Sequence, residues 1–125
     1  MKPEGYSTVS PYLVVDGAQQ VIDFLEQVFE ASQLRRYDNP DGSIMHVELR
    51  IGDSVVMMGD ASGDWHSFPS YVHVYVDDVD AVYQRALAAG GQSIQEPVQQ
   101  QGDPDRRGGV KDPSGNTWWI ATQIS

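Results

Sequence analysis

The stretch Val110-Lys111-Asp112-Pro113-Ser114-Gly115-Asn116-Thr117-Trp118-Trp119-Ile120-Ala121-Thr122 decides how the rest of the chain is read. Asp112-Pro113-Ser114-Gly115 is a turn: proline presets φ, the Asp112 carboxylate bonds the turn backbone, and Gly115 takes positive φ at little cost. The residues after it, rich in Trp, Ile and Thr, read as a strand. Strand side chains alternate between faces, so Trp118 and Ile120 point one way and Thr117, Trp119 and Ala121 the other. With large groups on both sides, one face of this strand is covered and the other lines a cavity or joins the core.

Working backwards, Tyr71 to Val76 alternates Tyr71, His73 and Tyr75 against Val72, Val74 and Val76. Asp77-Asp78 caps a helix over Val79 to Ala89, which ends at Gly90-Gly91. Ser93 to Val98 is a short strand broken by Pro97, Gln99 to Arg107 is polar and flexible in composition, and Gly108 to Asp112 leads into the final turn. The first half repeats this order. Thr8 to Val15 reads as a strand with Pro11 at an edge or special position. Asp16 is the expected N-cap of a helix over Ala18 to Glu30, whose apolar residues recur at the helical period. Strands follow over Ser32 to Asn39, Ser43 to Ile51 and Ser54 to Met58, the first two joined by a Pro40-Asp41-Gly42 turn. Alternation places Met45, Val47, Leu49 and Ile51 on one face of the second strand and Ile44, His46, Glu48 and Arg50 on the other. Val15-Asp16 is echoed by Val76-Asp77, and Gly52-Asp53-Ser54 by Gly115-Asn116-Thr117, each about 60 residues on. The chain is therefore an α+β protein of two βαβββ modules, about residues 7–60 and 70–123 of one domain spanning 1–125. One helix covers one face of each module, so the remaining faces of a curved mixed sheet enclose a cavity. Trp65 and Phe68, in the loop between the modules, are expected to fold back onto something.

Composition sets the limits. A net charge of -10 and a pI near 4.4 give no basic footprint for nucleic acid or an anionic membrane. The absence of cysteine removes disulfides, thiolate nucleophiles and Cys-type zinc sites. No signal peptide is visible, and no apolar run approaches the roughly 18 residues of a spanning helix, so a cytoplasmic protein is expected.

The stretches Ser10-Pro11-Tyr12-Leu13-Val14-Val15-Asp16-Gly17-Ala18, residues 21–25, residues 41–53, residues 75–81 and Asp112-Pro113-Ser114-Gly115-Asn116-Thr117-Trp118 together resemble the vicinal oxygen chelate superfamily. That superfamily includes glyoxalase I, extradiol dioxygenases, fosfomycin-resistance enzymes and bleomycin-resistance proteins, and the PhnB-like branch is the most similar. The resemblance covers nearly the whole chain and implies the fold and a homodimer. It is weak for function, because one fold hosts several chemistries. Metal-dependent members carry four His or Glu ligands, and matching strand by strand puts those positions at Ser10, Met57, Tyr71 and Trp119. Zinc, iron and manganese take imidazole or carboxylate ligands, so no cofactor is expected at this set. The resemblance then implies a protein that sequesters a small organic, aromatic or drug-like molecule, as bleomycin-resistance proteins do. Its ligand-binding residues would be Tyr12, Met57, Trp65 as a lid, Tyr71, His73, Tyr75 and Trp119.

Three alternatives stay open. His46 and Glu48 share a face at roughly 6.6 Å along the strand. With His73 they make a relocated two-His, one-carboxylate metal triad, or a metal-free acid–base site of a lyase, isomerase or dioxygenase-like enzyme, with Glu48 raised in pKa by a dry cavity. Against these stands the plain reading of polar contacts between strands. Arg106-Arg107, a basic pair beside Gly108-Gly109, either lets Arg107 reach the cavity and clamp a ligand anion or forms surface ion pairs with Asp103 or Asp105. The third alternative is a cavity filled by the protein's own side chains, leaving only assembly with partners.

Overall fold

A parallel strand pair needs a crossover, and in each half of this chain a helix supplies it. In the computed structural model, which describes all 125 residues, contacts divide the chain into two units, Met1–Phe68 and Pro69–Ser125. The first holds β1 (Tyr12–Val15), α1 (Ala18–Phe29), β2 (Ser32–Asp38), β3 (Ile44–Ile51) and β4 (Ser54–Asp60). The second holds β5 (Tyr71–Tyr75), α2 (Val79–Ala88), β6 (Gln92–Gln99), β7 (Asp105–Lys111) and β8 (Thr117–Gln123). The sheets run β1-β4-β3-β2 and β5-β8-β7-β6. β1 is parallel to β4 and β5 to β8, and every other pairing is antiparallel. Two four-stranded mixed sheets, each with one helix, give the α+β class that the repeat predicts.

Within the first unit, α1 packs on β3 and β4. Val21, Ile22, Leu25 and Val28 of the helix are buried with Leu13, Val47, Leu49 and Met58 of the sheet. Register puts Leu13, Met58 and Val47 side by side on that face, and Tyr12, Met57 and Glu48 side by side on the other. In the second unit, α2 packs on β6, β7 and β8, and Val82, Tyr83 and Ala86 are buried with Val110, Trp118 and Ile120. His73, Trp119 and Gly109 share the face away from this helix.

Several local expectations change. β1 starts at Tyr12, not Thr8: Pro11 has no N–H for the ladder, although its carbonyl still accepts the Met57 N–H at 2.9 Å. The N-cap of α1 is Gly17 in a left-handed conformation, with no side-chain cap of its own. The first helical N–H, of Ala18, goes instead to Asp60 Oδ1 at 2.7 Å, while Asp60 Oδ2 accepts the Ile44 N–H. One carboxylate at the end of β4 thus ties helix to sheet. Thr122, near the end of β8, repeats the device, its Oγ1 accepting the Val79 N–H and donating to the Val76 carbonyl.

The clean alternation expected for β3 also fails at its start. Tyr37 pairs with His46 but Asp38 with Ile44, so Met45 is an extra, bulged residue. Ile44 is buried, whereas Met45, expected on the face of the buried Val47 and Leu49, is exposed. Gly59 is required opposite this bulge, since a Cβ there would lie 2.5 Å from the Met45 carbonyl oxygen. β6 runs through Pro97 by way of two register shifts, and β7 begins at Asp105, so Arg106 and Arg107 stand on a strand and not in a flexible segment.

Candidate functional site

On the face of the first sheet away from α1, four polar groups are joined end to end. Glu48 is buried. Its Oε1 accepts the Tyr6 hydroxyl at 2.5 Å, and its Oε2 bonds His46 Nε2 at 2.9 Å. Tyr12 Oη lies 3.1 Å from His46 Nδ1. An ionised carboxylate only accepts, so Nε2 carries the proton and Nδ1 accepts from Tyr12, a tautomer assigned from the network. Burial pushes the Glu48 pKa up, but the hydrogen bonds from His46 and Tyr6, with the nearby His46 and Arg35 charges, more than offset it. The group is therefore held below the usual carboxylate range, which corrects the expectation of a raised Glu48: the site is polar where that group sits. Burial raises the pKa of Tyr12. The imidazole of His46 lies between Tyr12, with ring centroids 5.5 Å apart, and Tyr37, at 6.1 Å. Trp65 meets Tyr12 edge-on at 5.9 Å yet stays half exposed. The loop aromatics divide accordingly: Trp65 folds back onto Tyr12, and Phe68 is exposed.

The corresponding face of the second sheet is aromatic with a charged border. Tyr71 meets Trp119 edge-on at 5.9 Å, and His73 meets Tyr75 at 4.8 Å. Tyr71 and Tyr75 are 77% and 64% exposed. Arg107 donates from Nε to His73 Nε2 at 3.1 Å, and its other nitrogens pair with Asp103 and Asp105 at 2.5 and 2.9 Å. Asp105 also accepts the Tyr75 hydroxyl at 2.7 Å, and that bond, with burial, raises the Tyr75 pKa. Burial and the Arg107 charge lower the pKa of His73 against the opposing pull of Asp105 and Asp103. Arg107 is occupied by its own chain, as the ion-pair reading has it, and Arg106 pairs with Asp80 at 2.9 Å. Gly109 beside them makes room for Trp119, since a Cβ there would lie 2.6 Å from its Cζ3, and Gly108 makes room for Gln95 and Pro97.

His46 and Glu48 bond each other in the first unit, whereas His73 of the second is bonded to Arg107. No group of three or more His, Asp or Glu side chains gathers to hold a metal ion. At the positions where the resemblance places metal ligands, Ser10 precedes β1, Met57 is half buried between Tyr12 and Glu48, Tyr71 is exposed and Trp119 lies over Gly109. A thioether, an indole, an aliphatic hydroxyl and a phenol are not the imidazole and carboxylate set of a zinc, iron or manganese centre. Reading the sequence missed Tyr6 and Tyr37 as parts of these networks, and nothing local marks them, since their partners lie on other strands or segments. The pairs of Arg107 with Asp103 and Asp105 are among those it offered.

No helix is long and apolar enough to cross a membrane. A family model described as the Glyoxalase/Bleomycin resistance protein/Dioxygenase superfamily matches residues 7–120. The uncharacterized protein Mb0911c of Mycobacterium bovis is 38% identical over 127 residues, spanning 93% of this chain and 83% of that protein. Rv0887c of Mycobacterium tuberculosis, also uncharacterized, is 38% identical, spanning 93% of this chain and 74% of that protein. Among solved structures, TioX from Micromonospora sp. ML1 superposes with a TM-score of 0.78 at 26% identity, covering 94% of this chain and 99% of that one. The fosfomycin resistance protein FosX from Mesorhizobium loti, at 17% identity, TM-score 0.67 and coverage of 97% and 93%, shares the fold alone. With a matching family model over residues 7–120 and relatives this similar across 93% of its length, the chain belongs to the glyoxalase/bleomycin resistance protein/dioxygenase superfamily.

Proposed function

We propose that this protein binds a small planar organic molecule on the aromatic sheet faces away from its helices, with no resident metal. It would act in the manner of a bleomycin-resistance protein of the PhnB-like branch, as a cytoplasmic homodimer. One observation carries the reading: at the positions matched to metal ligands the chain offers Ser10, Met57, Tyr71 and Trp119, and around them stand exposed rings. Tyr71, Tyr75 and Trp119 present flat apolar area with hydroxyl and imidazole groups beside it, which suits stacking of a planar ligand. Tyr12, Met57 and Trp65 offer a comparable surface in the first unit. The acidic border favours a ligand without net negative charge.

The test is a titration of intrinsic tryptophan fluorescence with planar aromatic antibiotics and metabolites, bleomycin included, with and without a chelator. Saturable quenching that survives the chelator and weakens at least tenfold in Trp119→Ala and Tyr71→Ala is the expected result. Binding that requires added metal, or no saturable response across the panel, would overturn the proposal.

A further inference from the structure

The hydrogen-bonded row Tyr6–Glu48–His46–Tyr12 has the order of an acid–base device: a buried carboxylate, an imidazole oriented by it, and a hydroxyl at the imidazole's other nitrogen. Glu48 is 4% exposed and has both oxygens occupied, whereas Tyr12 at the far end is 36% exposed. The carboxylate fixes the tautomer, two tyrosine rings pack on the imidazole, and the Tyr12 end of the row is open to solvent. Such order exceeds what a stacking surface needs. From it we infer that Tyr12 and His46 form a metal-free general base, positioned by Glu48, that takes a proton from a planar carbon acid lying on this face.

The step balances. The substrate C–H bond breaks and its electron pair delocalises into the substrate's own ring or carbonyl. The proton bonds to Tyr12 Oη as the Oη–H proton passes to His46 Nδ1. The resulting imidazolium is paired through its Nε2–H with the Glu48 carboxylate and later returns the proton to product or solvent. Tyr12 and His46 are the catalytic residues, and Glu48 and Tyr6 are positioning residues. His73 takes no part. This activity goes beyond ligand binding and uses only residues of the first unit, so it stands or falls separately from the roles proposed for Tyr71 and Trp119.

The probe is 5-nitrobenzisoxazole, a planar carbon acid. Loss of its C3 proton breaks the ring N–O bond and releases a coloured cyanophenolate, so the chemistry needs no co-reactant. The expected result is a rate on the order of a hundredfold or more above buffer. It should fall tenfold or more in Tyr12→Phe and in His46→Ala. Glu48→Gln should lower kcat with KM little changed, because the imidazolium formed in the step loses its counter-charge. A wild-type rate equal to that of the Tyr12→Phe/His46→Ala double variant, or a Tyr12→Phe rate equal to wild type, would overturn the inference. Tyr12→Phe removes one oxygen from a partly exposed ring, so its result does not hang on whether His46→Ala folds.

Discussion

Asp112 Oδ2 accepts the indole Nε1–H of Trp118 at 2.8 Å, and both residues are buried. The same carboxylate accepts the Ser114 and Asn116 backbone N–H groups and the Asn116 side-chain amide. Turn and final strand are thereby one unit, and Asn116 carries the link on by accepting the Ser70 N–H at the entrance to β5. Replacing Asp112 with alanine leaves these donors without their acceptor. We expect a loss of about 2–4 kcal/mol, read as a lower urea midpoint, with Trp118 emission changed in the folded protein.

Gly109→Ala should act through a single ring. Its Cβ would meet Trp119 at 2.6 Å, so the indole or the strand must shift. A destabilisation of about 1–3 kcal/mol follows from the overpacking. If the proposed function holds, ligand affinity falls with it. Gly108→Ala, whose Cβ would meet the Gln95 carbonyl and Pro97 at 3.2 Å, should cost less than Gly109→Ala.

Asp60→Ala tests the tie between α1 and the bulged end of β3. It frees the N–H groups of Ala18 and Ile44 together. Thermal unfolding should show a loss of about 1–3 kcal/mol. Amide exchange should rise first at the start of α1 and around Ile44, before the rest of the unit opens.

The pH dependence of stability should carry a contribution from His73. Its folded pKa is depressed from 6.5 by burial and by Arg107, whose N–H needs the neutral ring as acceptor. The unfolded chain therefore binds this proton first as the pH drops. Stability is held above about 6.5 and lost as the pH falls through the lower folded value. Melting temperatures between pH 7 and 5 should fall more steeply for wild type than for His73→Gln. Parallel curves would show that the His73–Arg107 contact contributes nothing to folding.

The repeat of strand, helix and three strands, the two amphipathic helices and the Asp112–Gly115 turn were legible along the chain, because each is written in local periodicity or turn chemistry. So was the absence of imidazole and carboxylate at Ser10, Met57, Tyr71 and Trp119, which is a matter of residue type alone. The networks were not legible, for a physical reason. A hydrogen bond such as Tyr6 to Glu48, or Tyr75 to Asp105, joins residues 42 and 30 positions apart, and only the tertiary fold brings them within reach. The bulge at Met45, which reverses two side chains, arises from how β2 and β3 pair and has no signature in β3 alone. Tertiary structure likewise decided that Arg107 faces Asp103, Asp105 and His73, that Glu48 is ionised more readily than usual despite its burial, and that His46 turns its free nitrogen toward Tyr12. Residue types set which chemistries were open to this chain. Pairing between strands, which no short stretch encodes, chose which of those groups meet.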